Sequence, residues 1–310
     1  MITVHESQGK PVWVDLFQPS AEELADACER FGLDIPPRAR LEEIEFSSRL
    51  QYEDGVFTLS VPVAPNHGGE EHHTSPLGFV LTQDILATVR FSHLHVFKSV
   101  EERVNRRPRT APDIFLVILE GMIDYGADRL EELRDKALRL SSHIFQKPDH
   151  HHRHNSRRTG RVLANVLLEI GDMGARLSHI RDTLLVLQRA VPFITEHGDA
   201  WLEAPLRARL KMAGADVQSL NDYEVHLTDK IQFLLDAALG FINAEQNELF
   251  KVLTVWSVAG IPPVLVAGIW GMNFHFMPEL SWPWGYPMAL ATIAVSIAGP
   301  LLWFRVRGWW

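Results

Sequence analysis

The feature that most constrains this chain is a long stretch near its C-terminus that carries almost no charge. Between Val252 and Phe304 there is no Lys or Arg, and Glu279 is the only formally charged side chain. Two apolar segments lie within this stretch, at 252–270 and 286–304. Each is long enough to cross a hydrocarbon core of about 30 Å as a helix. A pair of buried core helices is the alternative interpretation.

The residues that flank the two segments favour the membrane interpretation and predict an orientation. Lys251 precedes the first segment, and Arg305 and Arg307 follow the second. Because cytosolic flanks are enriched in basic residues, both outer ends are predicted to face the cytosol, with 271–285 as an external loop. Aromatic residues mark the predicted interfaces: Trp270, Trp282, Trp284, Tyr286, Trp303, Trp309 and Trp310. The sequence predicts a multi-pass protein of the cell inner (plasma) membrane with cytosolic N- and C-termini.

Composition excludes several classes of function for the charged remainder of the chain. The net charge of −9 argues against a nucleic-acid partner, because phosphate binding requires clustered Lys and Arg. The single cysteine, Cys28, excludes an intramolecular disulfide and any multi-cysteine metal site. No catalytic constellation and no G-x-x-x-x-G-K-[ST] nucleotide loop occurs. We therefore expect neither an enzyme nor an ATP-driven pump, and no cofactor.

Hydrophobic periodicity predicts an α/β domain at 1–110. Its predicted strands are 11–16, 50–52, 56–63, 79–82 and 85–90. A capped helix is expected to begin at 19–23, and 64–75 reads as a loop.

Beyond residue 110 the period becomes helical. Helices are predicted at 112–145, at 161–190 and from Leu206 to Pro262, separated by a polar stretch at 146–158 and a break at 191–205. At 1.5 Å per residue the last helix would extend roughly 80 Å, as a rod that leads into the first apolar segment. The predicted domains are 1–110, a long-helix region at 111–250 and a transmembrane domain at 251–310.

The end of the first apolar segment carries a motif, Gly271-Met272-Asn273, followed by Met-Pro-Glu-Leu at 277–280. The stretch 251–280 closely resembles the CorA family of magnesium channels, whose signature is Gly-Met-Asn before a second membrane helix. Weaker similarity at 13–16, 31–33 and 86–90 extends the resemblance over nearly the whole chain.

The resemblance implies an architecture and a function. It implies a funnel-shaped homopentamer in which an α+β cytosolic domain with α/β layers is followed by long helices and a two-helix transmembrane region. The first membrane helix would line the pore and Gly271, Met272 and Asn273 would form its outer mouth. Asn247 resembles the inner-mouth asparagine of the family, and Leu253 and Ile261 resemble its hydrophobic constrictions.

Elementary chemistry supports a filter at Asn273. Mg²⁺ releases its water reluctantly, so a ring of amide carbonyls that hydrogen-bonds the first-shell waters avoids the cost of stripping them. Gly271 would permit a tight exit from the helix, and Met272 would pack, because a thioether is a poor partner for a hard cation. The alternative role for Asn273 is a helix C-cap.

Helical spacing places a stripe along the first segment: Asn247, Thr254, Ser257, Ile261, Val264 and Gly268. Phe250 or Lys251 would also fall on it, and Leu265 is the alternative to Val264. Apart from Lys251 at its inner end, the stripe is neutral. A pore without fixed charge suits a hydrated dication, and hydrophobic rings can close it by dewetting. Small residues also let membrane helices approach closely, so for Ser257 and Gly260 both interpretations stay open. Pro262 and Pro263 are expected to kink the helix.

The helix ahead of the first segment is acidic. Asp222, Asp229 and Asp236 recur every seven residues and therefore share one helical face. In several parallel copies they would form stacked carboxylate rings that concentrate divalent cations. We interpret them, with Asp216, as candidate regulatory metal ligands, and an ordinary solvated face is the alternative.

Two histidine-rich segments, at 67–73 and 150–154, are either surface loops or sites for transition metals, which favour imidazole. They are the only support for a zinc transporter of the same superfamily. A membrane-anchored sensor or scaffold is the alternative from another class. The preferred prediction is potential-driven Mg²⁺ influx, with Co²⁺ and Ni²⁺ as secondary ions. Its partners would be further copies of the chain, the lipid bilayer and divalent cations, with Mg²⁺ as both the transported and the regulatory ion.

Overall fold

The computed structural model describes residues 1–7, 9–64, 74–104, 109–145, 156–198, 201–272, 275 and 282–309. Its chain divides into two compact units, Met1–Leu235 and Asp236–Trp310. The strands are β1 (Ile2–Ser7), β2 (Lys10–Phe17), β3 (Leu50–Glu53), β4 (Val56–Val63), β5 (Ser75–Leu81) and β6 (Leu86–Arg90). The helices are α1 (Ala21–Phe31), α2 (Arg38–Leu41), α3 (Phe46–Arg49), α4 (His95–Val104), α5 (Ala111–Phe145), α6 (Ser156–His197), α7 (Ala204–Trp270) and α8 (Gly285–Val306).

The six strands form one mixed sheet in the order β1-β2-β6-β5-β4-β3. Only β2 and β6 are parallel, and the other neighbours are antiparallel. Side chains alternate between the two faces of a strand, and helices pack against both faces of this sheet. Val14 and Val80 pack towards α1 and α2 in one core cluster. On the other face the ring of Phe79 lies 5.3 Å from that of Phe115 on α5. The predicted α/β layering is confirmed.

A buried polar network joins β2 to β6. Arg90 donates to the Asp15 carboxylate through Nε at 2.9 Å and Nη2 at 2.8 Å. Thr88 Oγ1 donates to the same carboxylate at 2.7 Å, and Trp13 Nε1 donates to Thr88 Oγ1 at 3.0 Å. Because the Asp15 side chain is only 1% exposed, water cannot solvate its negative charge, and these donors stabilise the charge instead.

The predicted strands and the start of α1 are confirmed. Ser20 caps α1 by accepting from the Glu23 amide, and the Glu23 carboxylate accepts from the Ser20 amide. This capping box satisfies two donors that every helix start leaves free. The backbone hydrogen bond from Ser20 is the main cause that lowers the pKa of Glu23. The sequence pattern did not reveal β1 or α4.

The predicted break at 191–205 is wrong in its first half. Helix α6 continues through Pro192 and ends at His197, and α7 begins at Ala204. Proline removes one helical hydrogen bond, a local cost. Val191 and Ile194, on either side of it, are buried in the core, so packing outweighs that cost. The helix predicted from residue 161 likewise begins earlier, at Ser156.

Arginine 209 ties the first turns of α7 to α5. Its guanidinium donates to Glu120 through Nε at 3.1 Å and Nη2 at 2.8 Å, and to Asp113 at 2.7 Å. The hydrogen bond to Glu120 is the main cause that raises the pKa of Arg209. The N-terminal end of α7 is therefore held against α5 by charge-assisted bonds.

Candidate pore helix and its cytosolic approach

Two helices, α7 and α8, are long and apolar enough to cross a membrane. Within the most apolar window of each helix only 11% and 6% of the residues are buried. Buried core helices of a soluble protein would show the opposite, so the core-helix interpretation does not fit this structure. These surfaces need an apolar environment outside the chain.

The predicted stripe lies on the open side of α7. At 100° per residue its members, with Leu253, fall within an arc of about 120°. Six of the seven are exposed and Ser257 is half-buried. The covered residues of the same segment lie on the opposite side: Val255, Ala259, Pro262, Pro263, Val266 and Trp270. The structure therefore brings the predicted stripe together on a free face.

The hydroxyl groups of the stripe are turned onto their own helix. Thr254 Oγ1 donates to the Phe250 carbonyl at 2.7 Å, and Ser257 Oγ donates to the Leu253 carbonyl at 2.8 Å. Each donor is thereby satisfied without a partner helix, as a membrane segment requires. The oxygen lone pairs remain available as acceptors. Such a surface can accept hydrogen bonds from the water of a hydrated cation.

Helix α7 passes through two consecutive prolines. Neither Pro262 nor Pro263 has an amide hydrogen, so the carbonyls of Val258 and Ala259 lose their helical donors. The assigned helix nevertheless continues to Trp270. The expected kink stays a prediction.

The predicted filter is described in part. Gly271 closes the last turn of α7, with its amide donating to the Ala267 carbonyl at 2.9 Å. A Cβ atom at this position would lie 3.0 Å from that carbonyl oxygen, so close backbone approach is the reason for glycine here. Met272 is 47% exposed. Asn273 lies outside the described residues.

At the other end of the first apolar segment an open groove of about 490 Å³ runs beside the stripe. Asn247, Lys251 and Thr254 line one wall, and Trp309 lines the other. Trp309 is placed there by a Schellman motif at the end of α8, in which Gly308 has a φ of 71°. The Trp309 amide donates to the Phe304 carbonyl at 3.0 Å, and the two rings lie 5.4 Å apart. From the sequence, Trp309 is predicted only to lie at a membrane interface. The Gly-Trp pair after an apolar helix was the signal for the motif.

The acidic residues of α7 separate into two groups. Asp216, Asp222, Asp229 and Asp236 are all exposed. Glu224, from the same acidic run, is only 2% exposed and pairs with Arg181 of α6. In the part of the chain that the structure describes, no three His, Cys, Asp or Glu side chains form a metal-binding group. Both histidine-rich segments lie outside the described residues.

Comparison with known proteins adds the family. Residues 8–306 match the family model described as CorA-like Mg²⁺ transporter protein. The chain is 30% identical to the magnesium transport protein CorA of Wolinella succinogenes, covering 99% of this chain and 94% of that protein. It is 32% identical to the protein of the same name from Salmonella typhimurium, covering 99% and 95%.

A solved structure shares the fold over almost the same length. The complete CorA magnesium transporter of Methanocaldococcus jannaschii has a TM-score of 0.71 at 18% identity. The match covers 96% of this chain and 91% of that one. An α/β domain, long helices and two C-terminal apolar helices are therefore confirmed as the fold. The chain is an inner-membrane transport protein with cytosolic termini and not an enzyme, and it belongs to the CorA-like Mg²⁺ transporter family.

Proposed function

We propose that the chain forms a channel through which Mg²⁺ enters the cell down the membrane potential. The observation that carries the proposal is the neutral, exposed stripe on α7, whose hydroxyl donors are already used within the helix. A hydrated dication passing it meets acceptor oxygens and no fixed charge until Lys251 at the inner end. Each elementary charge gains about 2.3 kcal/mol per 100 mV, so no further energy source is needed.

The filter of this channel is Gly271, Met272 and Asn273. Asn273 supplies the amide oxygens that hold the first-shell waters, and Gly271 lets the chain leave the helix in close contact with Ala267. Leu253 and Ile261, which are 62% and 57% exposed, form the hydrophobic constrictions. Asn247 lies at the inner mouth, in the open groove whose other wall is Trp309.

The working form is a homopentamer. Two membrane helices in one chain cannot enclose a pore, so several copies must surround an axis. Closed cyclic symmetry is the usual solution for such assemblies. In this arrangement residues 1–110 form the cytosolic α/β domain, 111–250 the long-helix region and 251–310 the transmembrane domain.

Cytosolic Mg²⁺ closes the channel by binding between copies of α7. The exposed Asp222, Asp229 and Asp236 converge as carboxylate rings, with Asp216 as a further ligand. Mutual repulsion separates the helices when the sites are empty, and bound Mg²⁺ removes the repulsion. Binding shifts this equilibrium only through its different affinity for the closed and open states.

The direct test is ion flux into liposomes that contain only this protein. Asn273→Ala should reduce Mg²⁺ uptake to the level of empty liposomes, because the amide ring is lost while the fold is not. Asn165→Ala, at an exposed position of α6, is a matched control that should leave uptake through the filter unchanged. Normal uptake by the Asn273 variant would show that the filter lies elsewhere.

The same assay separates the remaining alternatives. Co²⁺ and Ni²⁺ should compete with Mg²⁺ for uptake. Zn²⁺ uptake that exceeds Mg²⁺ uptake would support a zinc transporter instead. A protein that conducts no divalent cation at all would support the anchored sensor or scaffold.

A further inference from the structure

Helix α7 carries a regular apolar seam with one exception. Its buried residues follow each other at intervals of three and four, which is the spacing of a heptad seam. The buried apolar members are Leu210, Ala213, Val217, Leu227, Ile231 and Leu234. Leu220 is half-buried in the same series. The remaining position of the series is Glu224, a carboxylate where the pattern requires an apolar side chain.

Glu224 is fully engaged at this position. Arg181 of α6 reaches its carboxylate with Nη2 at 2.8 Å from Oε1 and with Nε at 3.1 Å from Oε2. Thr228 Oγ1 donates to Oε1 at 2.9 Å and accepts from Arg181 Nη2 at 3.0 Å. The side chain of Glu224 is 3% exposed and that of Arg181 is 42% exposed. The pair therefore joins one buried and one partly hydrated charge.

The two helices are also in close contact at positions that precede Glu224 along α7. A Cβ atom on Gly214 of α7 would lie 3.0 Å from the Cγ1 of Val191 on α6. Between these points Gln188 donates to the Gln218 side chain at 2.7 Å. Three contacts follow each other in order along both helices: Gly214 with Val191, the hydrogen bond between Gln218 and Gln188, and the ion pair of Glu224 with Arg181. They show one consistent antiparallel alignment of α6 and α7.

Stability alone does not explain a carboxylate at this position. Two well-packed apolar side chains usually serve as well as a buried ion pair, because desolvation offsets the Coulomb attraction. Apolar seam residues are nearly interchangeable when one helix slides past the other by one turn. A buried charged residue cannot be exchanged in this way, because sliding by one turn separates it from its counter-charge. The best-attested role of such a residue is to fix alignment.

We infer that Arg181 and Glu224 are a register pair, which fixes the axial position and rotation of α7 against α6. The rotation matters because Asp222 and Asp229 lie two positions before Glu224 and Ile231, about 200° around the helix. Both aspartates are exposed for this reason. The register pair is thus the positioning device that holds the acidic face of α7 away from α6.

The alignment can be measured directly in the full-length protein. Spin labels would be attached to cysteines at the exposed Ser178 of α6 and Ser219 of α7, with Cys28→Ser and an excess of unlabelled chains. Pulsed dipolar spectroscopy should give one distance for the native pair. Arg181→Leu with Glu224→Leu should keep the melting temperature but add a second distance, displaced by about 5 Å, one helical turn.

Two further variants make the result decisive. Asp172→Leu with Arg176→Leu removes an ion pair of 3.0 Å between two residues of α6, without touching α7, and should leave the single distance unchanged. Arg181→Met with Glu224→Gln keeps the side-chain volumes if the leucine variant does not fold, and should also add a second distance. One unchanged distance in either register-pair variant overturns the inference.

The consequence for transport rests on the proposed function. With the register lost, a higher internal Mg²⁺ concentration should be needed to halve the flux, while uptake at low internal Mg²⁺ persists. Altered distances with an unchanged inhibition curve would overturn the positioning role. A native protein without Mg²⁺ flux would overturn the proposed function and leave the spectroscopic result intact.

Discussion

Asp15 and Asp34 each pair with an arginine, but only one of the two pairs is buried. The Asp15 and Arg90 side chains are 1% and 12% exposed, whereas Asp34 is 85% exposed beside Arg40. An exposed pair exchanges its partner for water at little cost. A buried carboxylate cannot, and Arg90 also lies over the rings of Phe17 and Phe97 at 4.7 Å from each centroid. Burial of the site therefore determines how much each aspartate contributes to the free energy of unfolding.

Asp15→Asn should destabilise the cytosolic unit by about 3 kcal/mol, because Arg90 is left without its counter-charge in a dry site. Asp34→Asn should cost less than about 1 kcal/mol. Thermal melting of the purified protein in mild detergent would compare the two. Equal shifts in melting temperature would mean that the Asp15 network contributes no more than a surface pair.

At the scale of elements, α7 presents a packed face and an acidic face along the same residues. The seam and the register pair are buried, and the heptad aspartates are exposed. Arg209 fixes the start of the helix to α5. The helix is thus anchored on one side and bears exposed carboxylates on the other, where like charges repel at short range.

Asp229→Asn with Asp236→Asn should weaken the inhibition of flux by internal Mg²⁺, because fewer carboxylates remain to bind the ion or to repel each other. Uptake at low internal Mg²⁺ should persist. The measurement is flux against internal Mg²⁺ in liposomes, with Glu203→Gln near the start of α7 as the control. An inhibition curve that matches the native one would remove these residues from the gating proposal.

For the whole molecule, the exposed apolar surface of the two spans is the dominant fact. Only 11% and 6% of the residues in their most apolar windows are buried within the chain. Lipid can cover the outward sides, but the neutral stripe carries hydroxyl, amide and glycine positions that suit a water-filled path better than hydrocarbon. In the proposed channel, several chains associate so that the stripe faces water and only the outward sides of the helices face lipid.

For the proposed homopentamer, native mass spectrometry in mild detergent should show five copies of the 35.2 kDa chain. Asn273→Ala should give the same assembly, which separates loss of the filter from loss of the oligomer. A monomer or a dimer would refute the channel proposal.

Local sequence pattern was sufficient to predict several elements of the fold. The stretch from Val252 to Phe304, with Glu279 as its only charged side chain, identified both spans, since transfer into hydrocarbon depends on the composition of a contiguous segment. Alternation located five of the six strands, and Ser20 with Glu23 marked the start of α1. Helical spacing alone placed the stripe from Asn247 to Gly268 on one face.

Features that depend on partners distant in the chain became apparent only in the folded structure. The burial of Glu224 could not be predicted from its position in an acidic helix, because the composition of α7 does not reveal Arg181, 43 residues away. The core around Val191 and Ile194 carries α6 through Pro192, which a local rule reads as a break. Trp309 reaches the groove beside Asn247 because α8 ends in a left-handed glycine turn. For Glu224 and Pro192 the deciding contacts come from segments distant in the chain, and local periodicity carries no information about such contacts.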